Sequence, residues 1–107
     1  MKYDYSAMLK AIIKERIPED EYIVFLFGSR AAKNNKGTSD IDIGIWGRKP
    51  LPIRIKSDLK AAIEESIIPY FVDIVDFSRV NEQFKREALQ HIELWSSPKS
   101  LNGLLKA

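Results

Sequence analysis

Apolar residues recur at helical spacing near the start of the chain. Tyr5, Met8, Leu9, Ile12 and Ile13 form one stripe, which predicts an amphipathic helix ending near Ile17-Pro18. A polar connector at residues 18–21 leads into Tyr22–Phe27, a β-branched and aromatic run that predicts a buried strand stopped by Gly28. Residues 29–38 carry Lys, Asn and Gly and predict a loop, opened by a short helical turn at residues 29–32. Residues 39–46 then alternate strictly. Ile41, Ile43 and Ile45 take one face of a strand, and Asp40, Asp42, Gly44 and Trp46 take the other. After a turn-rich connector at residues 47–52, Ile55, Leu59, Ala62, Ile63 and Ile67 mark a second amphipathic helix. Residues 70–77 predict a third strand, and residues 80–92 a third helix with Phe84, Ala88 and Ile92 on one side. In the tail, residues 96–107, Leu101, Leu104 and Leu105 could form one short docking helix.

This order predicts an α/β (α+β) domain, a single mixed β-sheet with helices packed on one face. The short link between the first two strands permits an antiparallel pair, and the helix before the third permits a parallel crossover. No repeat, linker or low-complexity tract divides the chain, so its 107 residues are expected to form one domain. No apolar run is long enough to span a bilayer, and residues 1–5 are charged, so neither a membrane segment nor a secretory signal is expected and the cytoplasm is the default location.

Cysteine is absent and His91 is the single histidine, which excludes thiolate chemistry, Cys-based zinc sites and multi-histidine metal sites. Any bound metal would have to be a hard cation on carboxylate oxygens. A formal charge of +2 fits a protein that meets phosphates but does not by itself argue for nucleic-acid binding, which is not expected.

The informative chemistry is Asp40-Ile41-Asp42. Two carboxylates two residues apart in a strand project from one face and repel each other unless something positive neutralises them. Magnesium fits, because it takes oxygen ligands and leaves room for substrate phosphates. The alternative is an ordinary solvated strand face. Gly28-Ser29 lies just upstream. A glycine there lets the backbone approach a ligand, and the Ser29 hydroxyl with the amides that follow can donate to phosphate oxygens. The alternative is a plain turn with Ser29 as an N-cap. Asp73 should emerge on the same face as Asp40 and Asp42, as a third metal ligand or as a proton acceptor for an attacking hydroxyl. Asp76, three residues on, should face the other way at the strand end. Arg30, Lys33 and Lys36 lie in the loop and could meet a triphosphate, or form a solvated basic loop. Trp46 could stack on a base or simply pack, Gly44 could keep the acidic face open or accommodate packing, and His91 is expected at the surface.

Gly28-Ser29, ten intervening residues, Asp40-x-Asp42 and the later Val72-Asp73-Ile74-Val75-Asp76 together resemble the DNA polymerase β-like nucleotidyltransferase superfamily. Within it the chain looks most like the minimal nucleotidyltransferases, or MNT proteins, over a core of about residues 22–92. The resemblance implies a nucleotidyltransferase fold in which Gly28 and Ser29, with Arg30 beside them, hold the β- and γ-phosphates. Asp40, Asp42 and Asp73 would be the catalytic carboxylates and magnesium ligands, serving two ions, with ATP as substrate. The family loop often runs Gly-Ser-Arg-Ala-Arg-Gly, whereas Ala32 and Lys33 fill the last two positions here. Such proteins typically act as antitoxins beside a helical HEPN partner, a toxin-like RNase, and some transfer AMP to a partner tyrosine. A chain this short is expected to have no room for the further helical domain of larger relatives, so a partner subunit or a homo-oligomer is expected to complete the acceptor site. Two rivals are a non-catalytic nucleotide- or partner-binding module of the same fold and an RNA-binding sheet. The three aspartates give the second of these the wrong charge.

Overall fold

The computed structural model describes residues 3–33 and 40–106. Helix α1 (Tyr5–Arg16) starts where the Asp4 side chain accepts from the Ala7 amide at 3.0 Å, and it stops before Pro18, with Ile17 already extended. Strand β1 (Tyr22–Phe27) leads directly into a four-residue helix, α2 (Gly28–Ala31). Strand β2 (Ile41–Gly47), helix α3 (Ile53–Glu64) and strand β3 (Val72–Asp76) follow. Helix α4 (Glu82–Ala88), strand β4 (Glu93–Ser96), a 3-10 turn (Lys99–Leu101) and helix α5 (Asn102–Lys106) complete the order.

The four strands form one mixed sheet in the order β3-β2-β1-β4. Strand β1 runs antiparallel to both neighbours, while β2 and β3 are parallel. Both directions left open by the connection lengths are therefore used. The antiparallel pair sits across the short loop and the parallel pair across α3, as the reach of the two connections requires.

Alternation along β1 splits the interior into two clusters. Tyr22, Val24 and Leu26 join Ile41, Ile43 and Ile45 under Leu9, Ile13, Leu59 and Ile63 of α1 and α3. Ile23, Phe25 and Phe27 join Trp46, Phe77 and Leu101 on the opposite face, with Ala88, Leu89, Leu104 and Leu105 packed against them. Helices α1 and α3 cover one face and α4 with the tail covers part of the other, so helices lie on both faces of the sheet rather than on one. Because β1 is apolar at every position, both of its faces need a cover, and the sheet is buried on two sides along this strand.

Boundaries moved inward at the third strand, Val72–Asp76 against an expected 70–77, and at the third helix. The third helix spans only Glu82–Ala88, because Asn81 caps it by accepting from the Phe84 amide at 2.8 Å. Strand β4 is not among the expected elements: it falls between the predicted helix at residues 80–92 and the tail that begins at residue 96. Four residues without a clear period carry no strand signal of their own, and β4 forms only by pairing with β1. The leucines of the tail do form the short docking helix, entered through the 3-10 turn. Lys36 and the expected beginning of the second strand at Ser39 lie outside the described residues.

Candidate active site

The acidic strand meets its neighbours in register. Asp42 pairs with Asp73 across the parallel β2–β3 ladder and with Phe27 across the antiparallel β1–β2 ladder. Strand alternation sends Asp42 and Asp73 from the sheet face that carries Trp46 and Phe25, opposite Ile41, Ile43 and Ile74. Asp40 is exposed and lies two residues before Asp42. The structure thus puts the three expected carboxylates on one face at one end of adjacent strands. Among the described residues none of the three forms an ion pair.

That clustering has an electrostatic consequence. Partial burial, then Asp73, then Asp40 all push the Asp42 carboxyl above the usual carboxylate range. The ionised form is disfavoured until a positive charge arrives.

Gly28 closes the other side. Its φ is +77°, in the left-handed region, and a Cβ there would land on the Asp42 carboxylate, 3.1 Å from Cγ. Only glycine can place this backbone against Asp42. Ser29 follows, half-buried, and its hydroxyl makes no hydrogen bond among the described residues. Phe27, rather than Ser29, holds the cap position of α2, and no side chain caps that helix. The N-cap alternative for Ser29 is therefore not what the side chain does. A backbone pressed onto a carboxylate, followed by an unspent hydroxyl, is a workable cradle for phosphate oxygens.

Arg30 turns away from the cradle. Its guanidinium lies 4.6 Å from the centre of the Tyr70 ring, and its Nε donates to the Asp40 carbonyl at 3.3 Å. In this conformation it straps α2 to the start of β2. Lys33 adopts φ +60°, in the left-handed region that favours glycine.

The remaining candidates resolve as packing. Trp46 is buried beside Phe77, with the Lys85 ammonium 4.9 Å above its ring. Gly44 lies under Phe25 and Phe77, and an added Cβ would collide with the Phe25 ring and come within 2.9 Å of the Phe77 ring. Asp76 does point away from Asp73, as expected, but it is more than a strand-end residue. It is buried and accepts from the Leu51 amide at 2.8 Å and from the Ser78 amide and hydroxyl at 3.0 and 2.7 Å. His91 is exposed, yet it forms a wall of the cleft that opens beside Gly28 and Ser29, together with Phe84 and Glu87. Nothing in the linear pattern pointed to that cleft, because α4 meets α2 only through the tertiary fold.

Donor chemistry decides which metal the acids would suit. They offer hard carboxylate oxygen alone, which fits magnesium, an ion that takes one or two protein carboxylates and fills its remaining positions with water and phosphate oxygens. Among the described residues no three acidic, histidine or cysteine side chains converge closely enough to hold an ion unaided. Asp42 and Asp73 with substrate oxygens make the better-fitting set.

A chain built in this way falls into a known class of group-transfer enzyme. The family model "Polymerase beta, Nucleotidyltransferase" matches residues 9–99, and the chain belongs to that family. It is 34% identical over 85 residues to the Haemophilus influenzae protein named "Probable protein adenylyltransferase MntA", covering 79% of this chain and 73% of that protein. Its fold is shared with a chain of a crystal structure described as a toxin-antitoxin with AMP-PNP, at a TM-score of 0.73 and 19% identity over 96% of this chain and 81% of the other. A second solved complex, of a tri-AMPylated Shewanella oneidensis HEPN toxin with its MNT antitoxin, aligns at a TM-score of 0.66 and 17% identity, over 92% and 78% of the two chains. No helix among the described residues is long and apolar enough to cross a membrane.

Proposed function

We propose that this nucleotidyltransferase moves AMP from ATP onto a hydroxyl of a helical HEPN-type partner, a tyrosine being the acceptor, and that it thereby acts as the antitoxin of the pair. The observation that carries the reading is the register match of Asp42 with Asp73 beside Gly28, whose backbone closes on the Asp42 carboxylate. Kinship with a protein named as an adenylyltransferase supports ATP as the donor, and a neighbour described as an antitoxin bound to an AMPylated HEPN toxin supports the acceptor class.

The acceptor oxygen attacks the α-phosphorus in line, the bond from that phosphorus to the bridging oxygen breaks, and pyrophosphate leaves. Asp73, more exposed than Asp42, is placed to take the acceptor proton. Gly28 amide and Ser29 hydroxyl hold phosphate oxygens and fix the triphosphate against the acids. Asp42 and Asp73, with Asp40 beside them, would hold magnesium, which when bound neutralises the charge on the phosphates and activates the acceptor hydroxyl.

The test uses purified chain, the helical product of the adjacent open reading frame and ATP labelled on its α-phosphate. Label should reach the partner only with magnesium, mass spectrometry should find it on a tyrosine, and Asp42→Asn should lower the rate by about a hundredfold or more. Partner binding with no metal-dependent label would instead make this a binding module of the same fold.

A further inference from the structure

Three strands bring one residue each into a row at the transfer site. Phe27 of β1 is the register partner of Asp42 of β2, and Asp42 is the register partner of Asp73 of β3. Gly28 follows Phe27, and β3 is an edge of the sheet. Neighbouring strands lie roughly 4.8 Å apart, so the row has a fixed order: phosphate cradle, central acid, edge acid. Displacement at phosphorus needs the entering and leaving oxygens in line. With pyrophosphate drawn toward Gly28 and Ser29 and the phosphorus over Asp42, the entering oxygen has to arrive from the side of Asp73, across the β3 edge.

Phe71 stands on that approach. Its carbonyl accepts from the Ile41 amide at 2.9 Å, so its backbone already belongs to the β2–β3 ladder. Tyr70 and Val72, on either side of it, pack into the cluster beneath α1 and α3. Alternation therefore sends Phe71 to the opposite face, the one that carries Asp73 two residues on. The side chain is 64% exposed, so most of its surface is not used by the fold. Aromatic side chains available in this way are the usual anchors of protein–protein contacts. Spacing then sets the kind of acceptor. Residues two apart in a strand are separated by about 6.6 Å. A phenol with its oxygen at Asp73 can bring its ring to Phe71 at the 4.5–7 Å separation typical of aromatic pairs, roughly. An aliphatic hydroxyl at the same point offers Phe71 no ring.

We infer that Phe71 packs against the aromatic ring that bears the acceptor hydroxyl and guides that hydroxyl onto Asp73. This rests on the transferase reading above and adds the residue that recognises the acceptor. The hydroxyl oxygen bonds to the α-phosphorus as the bond to the bridging oxygen breaks, and its proton passes to Asp73. Phe71 takes no part in the bond changes; it holds the ring in line with them.

Steady-state transfer of label from ATP to the helical product of the adjacent open reading frame tests it, with partner concentration varied and ATP binding titrated separately. Phe71→Ser removes the ring and its bulk, Phe71→Leu removes the ring alone, and Phe71→Tyr keeps the ring. The first two should lower kcat/KM for the partner about tenfold, chiefly through KM, and leave ATP affinity within about twofold. Phe71→Tyr should stay within about twofold of the parent. Transfer by Phe71→Ser at the parental rate and KM would overturn the inference. So would Phe71→Leu matching the parent, or ATP affinity falling in step with transfer. A parent chain that labels no partner would instead bring down the transferase reading, and this inference with it.

Discussion

Asp42 is the residue on which electrostatics and function meet. Its carboxyl is raised by burial, Asp73 and Asp40, so in the folded chain without metal the ionised form is penalised. Stability from this group is complete below the ordinary carboxylate range and is lost as pH rises through the raised value. Asp42→Asn should therefore melt at about the same temperature as the parent in acid below the ordinary carboxylate range and at a higher one near neutrality, in buffer without divalent ions. Added magnesium should narrow that difference by stabilising the parent alone. Thermal melts across pH, with and without metal, check both statements, and a variant less stable than the parent at neutral pH would contradict them. Asp40 and Asp42 were legible because alternation places them on one face. The elevated carboxyl was not, since it depends on Asp73 arriving beside Asp42 from a strand thirty-one residues further along.

At the scale of elements, two short connections carry strain and satisfaction in opposite senses. Lys33 ends the α2 turn at φ +60°, a conformation that crowds its own Cβ. Lys33→Gly should raise stability by about 0.5–1 kcal/mol, measured by urea unfolding, the relief of strain exceeding the extra freedom of the unfolded chain. Asp76 does the reverse: one buried carboxylate satisfies the Leu51 amide and both donors of Ser78, joining the end of β3 to the connector before α3. Asp76→Ala should cost roughly 2–4 kcal/mol, because the Leu51 amide would be left buried without an acceptor. The same urea titrations measure it. Strand β1 was readable as a strand from its composition, whereas β4 was not, because its four residues are held by pairing rather than by a pattern of their own.

For the whole molecule, the tail matters because the sheet has two faces to cover. Leu101 is buried against Phe25, Trp46 and Phe77, with Leu104 and Leu105 beside it. Leu101→Ala should destabilise the fold by roughly 2–5 kcal/mol, read from chemical denaturation. That the tail closes the aromatic side also explains how a chain of this size keeps a β1 strand that is apolar throughout. Exposed Phe71, 64% accessible at the entry to β3, lies next to the acids and remains uncovered.

Local order alone determined most of the elements of this protein, β4 excepted. Periods of 3.6 and 2 identify α1, α3, β1 and β2 because each buries one stripe or one face, and the spacing from Gly28-Ser29 to Asp40 and Asp42 follows from residues near one another in the chain. What only the tertiary structure decided was everything that needs distant segments to meet. The register of Asp42 against Asp73, the contact of Gly28 with Asp42, the capture of β4 and the cleft between α2 and α4 all arise from packing two sides of one sheet. Such contacts leave no periodic trace, since each side chain obeys the same local pattern whether or not its partner is present.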